Sequence, residues 1–459
     1  MNKTFTAATA TAAATAALML VAAVSAAGTA NAQPAAATVN AHTTDARGWA
    51  GGTRAGSGGR ILRVTTLAAS GPGSLRAALE AEGPRVVVFE VGGVIDMAGQ
   101  PLAVRNPFVT VAGQTAPNPG ITVIKAETTI NAPEVLIQHL RFRPGEFGRP
   151  KKGGGDQDGI STVGAVHHVI VDHCSFSWAT DENLSASGPR FTGNTPADWR
   201  AGTSQRITYS HNLIYESLSN SVHEKGEHSK GSLIHDNTSG VLIWRNVYAS
   251  NRERNPLFKG GAQGAVVNNI IFNPGSRAVH YNLHAGEWVG KDYLTGKLSV
   301  IGNVLRHGPD TEAGTPLFTL RGEGDVDLLM ADNLAFDRDG QAAPLNGDLS
   351  RGKAKLLPMS SAQAALPADI QPMPAAALER ALPAAVGARP WDRDAIDALL
   401  LREMAAGRGR IIDSETQNAL GYPRHAQTRR AFVEAEWNLS DMSPRAGWAD
   451  ITRLTQPLP

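Results

Sequence analysis

The sequence predicts an all-β solenoid, in which short strands form coils that stack on one another. Glycine is abundant, with 48 residues among 459, and aromatic residues make up only 6% of the chain, which suits many short strands and turns. A degenerate repeat runs through the middle of the chain. The single cysteine, Cys174, excludes an intrachain disulfide, so that packing must stabilise the fold.

The repeat has the form apolar-x-(Asn/His)-x-x-(Phe/Tyr), in whole or in part. Successive copies lie about 20 to 40 residues apart, the range expected of solenoid coils. Stacked coils share a continuous core, and amides at the same point of each coil can hydrogen-bond from coil to coil. A β-sandwich with chance similarity is the alternative. The copies lie at 137–142, 171–176, 211–215, 244–248, 267–272, 301–305 and 331–336.

Both ends of a solenoid need covers, because an open coil exposes unpaired strand edges. The segment Ser74–Glu80 is typical of a short helix with Ser74 at its N-cap. Composition changes after Pro358, and 394–406 has an amphipathic pattern that Gly407 is placed to end. We therefore predict a solenoid over 58–357 with short helical caps, followed by a wrapping C-terminal extension over 358–459.

The N-terminus is typical of an export signal. Lys3 supplies a positive charge, an apolar stretch runs from Ala16 to Ala27, and Ala30-Asn31-Ala32 offers a small-x-small cleavage site. We predict a signal peptide over 1–32, cleaved after Ala32, a flexible leader over 33–57, and a secreted or periplasmic protein. An uncleaved membrane anchor is the alternative, although the stretch is short of a ~20-residue span.

Charge is nearly balanced, with 43 basic and 42 acidic residues, so no global field indicates nucleic acid or an anionic membrane as a partner. A local cluster must therefore bind any acidic substrate.

Carboxylates that could hold a metal occur in one interval. Asp156 and Asp158 follow a Lys/Gly-rich loop, and Asp181 and Glu182 end the coil that contains His173. Calcium takes several hard oxygen ligands, and groups one coil apart in sequence lie close together in a stacked solenoid. Zinc is disfavoured, because no compact His/Cys pattern occurs here.

Cationic residues cluster in the next coils, over 223–230 and 251–261. Arginine and lysine beside carboxylates often form a solvated, salt-bridged face, which is the alternative to a binding site. Stacking of the coils would place these loops on the same side as Asp158 and Asp181, which favours a binding site.

The chain resembles the pectate lyases of polysaccharide lyase family 1 over roughly Gly58–Asn333. The segments that carry the resemblance are Arg85–Ile95, Val169–Ser175, Arg254-Asn255-Pro256 and Lys259-Gly260-Gly261. C-terminal segments at Pro390–Asp394 and Ile411–Ser414 also look like tails of bacterial members. The resemblance implies a right-handed, single-stranded parallel β-helix of the pectin-lyase-like class, Ca²⁺ as cofactor, and β-elimination of polygalacturonate. We expect the protein to act as a monomer.

The resemblance also implies roles for single residues. Arg254 looks like the arginine that abstracts the C5 proton, and Lys230 like the lysine that contacts the substrate carboxylate. Asp158 and Asp181 match calcium-binding positions. Ser185 stands where many members have a further aspartate, and Glu182 is expected to compensate as a calcium ligand. The expected substrate-binding residues are Lys259, where members often have arginine, together with Arg252 and His228.

Three other functions stay open. A β-helix glycoside hydrolase needs paired carboxylates, for which Asp156 and Asp158 could serve. A lyase for esterified pectin or another uronide would work without calcium. A non-catalytic carbohydrate-binding β-helix would bind sugar without turnover. Because arginine has a high reference pKa, we expect a lyase of this type to have an alkaline optimum.

Overall fold

The structure is a computed structural model that describes residues 47–417 and 420–458. The predicted signal peptide, with its cleavage site after Ala32, lies outside the described residues. Within the described part, no helix is both long enough and apolar enough to span a membrane.

The chain folds as a parallel β-helix, which confirms the predicted fold class. From Arg85 onward it passes through three sheets in turn, one strand of each per coil. Sheet 1 contains Arg60–Val64, Arg85–Phe89, Val109–Ala112, Val135–Gln138, His167–Asp172, Gln205–Ser210, Ser239–Trp244, Gln263–Val267, Gly296–Ile301, Val326–Ala331 and Leu356–Pro358. Sheet 2 contains Val91–Asp96, Ile121–Ile124, Leu140–Arg143, Ser175–Ser177, Leu213–Tyr215, Val247–Ala249, Ile270–Phe272, Val304–Arg306, Leu334–Phe336 and the edge strand Thr428–Arg429. Sheet 3 contains Leu102–Val104, Thr128–Ile130, Ile160–Thr162, Leu184–Ala186, Leu233–Ile234, Leu257–Lys259, Val279–Leu283, Phe318–Gly322 and Asn346–Asp348.

Apolar columns fill the space between the three sheets. Val169, Ile207 and Val241 pair in register on three successive strands of sheet 1, and all three are fully buried in the core. Because side chains alternate along a strand, the residues next to these three on each strand point out of the coil. Each coil therefore supplies one apolar layer to the core and one outward row that is available for function.

An asparagine ladder joins sheet 1 to sheet 2. The side-chain oxygen of Asn246 accepts hydrogen bonds from the backbone and side-chain N–H groups of Asn212, at 2.9 and 3.0 Å. Its amide nitrogen donates to the side-chain oxygen of Asn269 at 3.0 Å and to the carbonyl of Tyr209 at 2.9 Å. Asn303 and Asn333 continue the ladder, which satisfies buried backbone groups at the bend.

The histidines of the repeat stand one residue before the ladder position and not within it, which corrects the predicted repeat alignment. His139, His173 and His211 have positive φ angles of 57°, 49° and 53°. The rings of His173 and His211 stack with their centroids 4.5 Å apart. Leu140 and Cys174 occupy the ladder position in the first two of these coils, and the Cys174 N–H donates to Asn212 at 2.8 Å. Burial raises the pKa of the Cys174 thiol, as expected for an inert, packed cysteine.

The N-terminal end of the solenoid is covered by the helix Leu75–Glu80. The Ser74 hydroxyl accepts a hydrogen bond from the Ala77 N–H, as the sequence predicts for an N-cap. The guanidinium of Arg85, which is fully buried, donates to the carbonyls of Ala78 and Leu79 at 3.0 and 2.7 Å. The first complete coil thereby holds the cap in place.

Residues 47–57, the described part of the predicted leader, pack on the outside of sheet 1. Ala50 and Ala55 form a buried cluster with Leu136 and Ile170. This segment includes the 3₁₀ turn Gly48–Ala50. The prediction of a flexible leader over 33–57 is therefore corrected at its end, because residues 47–57 bury apolar surface against the solenoid and are counted with it.

The C-terminal segment runs along the outside of the sheets. Its helices are Ala375–Ala381, Ala395–Ala405 and Ile451–Thr455, and a further short helix, Pro196–Ala201, lies within the solenoid. Thr428–Arg429 pairs antiparallel with Val91–Asp96 and so covers the first edge of sheet 2. This is how the structure protects an open strand edge.

A buried charge network fastens the helix Ala395–Ala405 to sheet 2. The guanidinium of Arg143 contacts Asp394 at 2.5 Å and Asp397 at 2.9 Å, and all three side chains are at most 1% exposed. Although burial alone would raise the pKa of Asp394, the charges of Arg143 and Arg141 hold it well below its usual range. Asp394 is also the N-cap of the helix.

We expect Asn246→Ala to lower the free energy of unfolding by about 3 kcal/mol, because the buried N–H of Asn212 and the carbonyl of Tyr209, both on the preceding coil, lose their side-chain partner. Urea unfolding followed by circular dichroism measures the change. Asn194→Ala, at an exposed asparagine, serves as the control and should change little. Equal stability of the two variants would contradict a structural role for the ladder.

We expect Asp394→Asn to cost about 3 kcal/mol at pH 7, because Arg143 and Arg141 lose a buried partner. The pKa of Asp394 is lower in the folded state than the ordinary ~3.9, so its contribution is complete above about pH 5 and is lost as the pH falls. The stability gap between wild type and variant should therefore shrink between pH 5 and pH 3 in urea titrations. A gap that is independent of pH would contradict the ion-pair assignment, and exposed Asp339→Asn is the matched control.

Candidate active site

The candidate active site lies at the edge of sheet 3 where its strands begin. Lys230 forms parallel bridges with Glu182 of the preceding coil and with Glu253 of the following one. Arg254 comes directly after Glu253 and has a positive φ of 62°. The register of the coils therefore places acidic and basic side chains in one column along the solenoid axis.

Three carboxylates converge at the N-terminal end of this column. Ligand oxygens of Asp158, Asp181 and Glu182 lie within 4.8 Å of one another, and the Glu182 N–H donates to Asp158 at 2.9 Å. Burial raises the pKa of Asp158 well above its usual range, and the nearby charges of Asp181 and Glu127 raise it further. A cluster of hard oxygen donors whose charges oppose one another fits a divalent cation such as Ca²⁺.

Arg254 and Lys230 belong to this column and form ion pairs with its carboxylates. The guanidinium of Arg254 forms an ion pair with Glu182, and the Lys230 ammonium forms one with Glu253. Burial lowers the pKa of Arg254, while Asp181 and Asp158 oppose that shift. The two residues predicted to be catalytic thus lie on neighbouring coils beside the predicted metal ligands.

His228 contacts the metal-ligand candidate Asp181. Its Nε2 atom hydrogen-bonds to the Asp181 carboxylate, and the ring stacks on His223 with a centroid distance of 3.8 Å. This bond lowers the pKa of Asp181, although burial alone would raise it. His228 is predicted to bind substrate, but its geometry suits orienting Asp181. The sequence alone places His223 in the cationic segment 223–230 without a role and does not single out Glu127, because neither belongs to a recognisable motif.

Lys259 and Arg252 pair with other carboxylates. Lys259 contacts Glu287 and lies 3.4 Å from Asp236, within an ion-pair group that also includes Arg190. Arg252 lies 3.1 Å from Glu227 and 3.9 Å from Glu312. The structure therefore does not place either cation in direct contact with the cluster of Asp158, Asp181 and Glu182.

No protein-family model matches the chain. "Probable pectate lyase C" of Aspergillus terreus is 34% identical over 304 residues, which cover 66% of this chain and 62% of that protein. Its namesake from Emericella nidulans is 33% identical over 304 residues, covering 66% and 61%. The chain thus spans less than two thirds of the length of these curated relatives.

The chain resembles pectate lyases. This confirms the resemblance inferred from the sequence, although the relatives named here are fungal and not bacterial.

Solved structures show the same fold at low sequence identity. The cedar-pollen allergen jun a 1 has a TM-score of 0.50 at 16% identity, covering 74% of this chain and 92% of its own. A pectate lyase solved to explain substrate specificity and anti β-elimination has a TM-score of 0.51 at 14% identity, covering 77% and 99%. A thermostable pectate lyase, PL 47, also scores 0.51, at 13% identity over 77% of this chain and 99% of its own.

By the resemblance, many pectate lyases have aspartate at the position of Ser185. In this protein the Ser185 side chain makes a different interaction. Its hydroxyl accepts a hydrogen bond from the Leu233 N–H at 3.1 Å, and the side chain is fully buried. Glu182, three residues earlier, supplies the third carboxylate of the cluster. Compensation for Ser185 by Glu182 stays a prediction.

The C-terminal segment forms hydrogen bonds with two loops beside the site. The Glu415 carboxylate accepts hydrogen bonds from the N–H groups of Glu146 and Phe147, both at 3.0 Å. The Ile412 carbonyl accepts from Ser219 at 2.8 Å. The first loop leads to Asp158 and the second to Lys230, so the extension helps to position both.

Proposed function

We propose that the chain is a polysaccharide lyase that cleaves polygalacturonate by calcium-assisted β-elimination. The observation that carries the proposal is the contact of Arg254 with an acidic cluster that would suit a divalent cation, one coil from Lys230. The resemblance to pectate lyases supports the same chemistry. We also propose that the protein is exported and that its signal peptide is cleaved after Ala32. The mature protein would act as a monomer on an acidic plant cell-wall polysaccharide.

The elimination breaks the C5–H and C4–O bonds of a uronate and forms the C4–C5 double bond. The neighbouring sugar leaves through its glycosidic oxygen, which takes a proton from water. Arg254 in its neutral form would accept the proton from C5, and its burial favours that form. Lys230 would hold the uronate carboxylate, where negative charge increases as the proton leaves. Glu253, which pairs with Lys230, fixes the position of that ammonium.

Asp158, Asp181 and Glu182 would hold Ca²⁺. When bound, the ion would withdraw charge from the substrate carboxylate and acidify the C5 proton. His228 and His223 would keep the Asp181 carboxylate oriented for this role. To bind Ca²⁺, the Glu182 carboxylate would have to break at least part of its ion pair with Arg254. The guanidine would then be free to contact the substrate.

We expect Asp181→Asn to weaken calcium binding at least tenfold, because it removes one charged ligand from a set of three. Isothermal calorimetry with CaCl₂ measures this without reference to activity. The control Asp339→Asn removes a charge at an exposed site and should bind calcium as the wild type does. Equal affinity of both variants would place the ion elsewhere.

We expect Arg254→Ala to reduce turnover of polygalacturonate by roughly 10²–10⁴-fold, the usual contribution of a general base. The ultraviolet absorbance of the unsaturated product gives the rate and separates elimination from hydrolysis. Arg408→Ala, at an exposed arginine paired with Glu403, is the control. Turnover by Arg254→Ala at near wild-type rate would exclude Arg254 as the base.

If the wild type releases reducing ends without ultraviolet absorbance, the chain is a hydrolase. If chelator does not change the lyase rate, it is a calcium-independent lyase. If it binds polygalacturonate without any product, the carbohydrate-binding alternative holds.

A further inference from the structure

A second cluster of side chains that could hold a metal lies at the start of sheet 1, away from the candidate active site. Glu134, His167 and His168 each offer one ligand atom, and these atoms lie within 4.8 Å of one another. Asp158 and His167 stand on opposite sides of the strand Ile160–Thr162, which spans roughly 10 Å. The histidine cluster is therefore too far from Asp158 to share an ion with it.

Strand register brings these three donors together from two coils. Val169 pairs with Val135, so His168 stands beside Glu134 of the preceding coil. The N–H of Glu134 donates to the carbonyl of His167 at 3.1 Å. Glu134 and His168 have similar positive φ angles, 61° and 56°, and so occupy the same point of the turn that leads into sheet 1.

The ligand atoms of the cluster are spaced nearly as in a zinc site. The Nδ1 atoms of His167 and His168 are joined by a hydrogen bond of 2.8 Å, and Nδ1 of His168 lies 3.5 Å from Oε1 of Glu134. Ligand atoms around tetrahedral zinc lie about 3.3 Å apart, because each bond to the metal is about 2.0 Å long. Small rotations of the side chains would direct all three atoms at one ion. Two imidazoles and one carboxylate suit zinc and similar transition metals better than calcium.

The N-terminal segment 47–57 orients the carboxylate of Glu134. Its Oε2 atom accepts hydrogen bonds from the N–H groups of Arg54 and Ala55, at 2.6 and 3.4 Å, while Oε1 is the oxygen nearer to His168. Such hydrogen bonds to the second oxygen are typical of carboxylates that bind metals. An ion bound at Oε1 would therefore also fasten the segment 47–57 to sheet 1.

The two histidines are in the form that binds metal at neutral pH. Burial lowers the pKa of both His167 and His168, and the nearby charge of Arg206 lowers it further, although Glu134 opposes the shift. An imidazole must be unprotonated to bind a metal ion. Arg206 also repels any cation at this position, so its charge should limit the affinity of the site.

We propose that Glu134, His167 and His168 bind Zn²⁺, or a divalent transition metal of similar preference, and that the ion strengthens the attachment of the segment 47–57 to sheet 1. The three donors come from two coils, which is why no compact His/Cys pattern marks the site in the sequence. Because the cluster lies apart from the candidate active site, this inference does not depend on the proposed function.

Calorimetry with ZnCl₂ tests the site in a parent protein that carries His228→Ala. This substitution removes the other histidine-containing donor group of the described residues that could compete at the candidate active site, Asp181, His223 and His228. Adding His168→Ala should weaken zinc binding at least tenfold, because one of three ligands is lost. Adding Arg206→Gln should strengthen it, because a repelling charge is removed. Adding His284→Ala, at an exposed histidine, is the control and should change nothing.

Hydrogen exchange tests the attachment of the N-terminal segment in the unsubstituted chain. Zn²⁺ should slow exchange of the Arg54 and Ala55 amides, which donate to Glu134, and Ca²⁺ should not. Thermal unfolding verifies that all variants fold. The inference is wrong if the parent binds no zinc, if His168→Ala binds it as tightly as the parent, if His284→Ala weakens binding equally, or if zinc leaves the exchange of these amides unchanged.

Discussion

The fixed register of parallel strands from coil to coil is the constraint on which the rest of this structure depends. Lys230 can lie between Glu182 and Glu253 only because these residues pair one to one across three coils. A slip by one residue would turn every outward side chain into the core. The asparagine ladder from Asn212 to Asn333 holds that register at the bend between sheets 1 and 2.

The same register places charges of like sign close together in the candidate site. Carboxylates of successive coils stack close together, and burial raises the pKa of Asp158 while Arg254 pairs with Glu182. Cations of successive coils lie close together in the same way, because Lys230 and Arg277 both pair with Glu253. Buried charges of like sign that lie this close together mark the column as the candidate functional site.

Much of the fold could be predicted from the sequence, because a repeat that bears asparagines such as Asn246 and Asn269 appears in the chain itself. The candidate ligands Asp158, Asp181 and Glu182 could be found because they fall within two short segments one coil apart. Glu127 and Glu253 could not, since each is an ordinary charged residue whose importance comes from its position beside residues of other coils. The position of His139 one residue before the ladder likewise required the φ angles of the turn.

A crystal structure of Arg254→Ala with Ca²⁺ and an oligogalacturonide tests most directly whether this column is the site of elimination. We expect one ion bound by Asp158, Asp181 and Glu182, and a sugar carboxylate in contact with Lys230. An ion held at another set of carboxylates, such as Asp236 and Glu287, or a sugar chain bound on a different face of the solenoid, would contradict it.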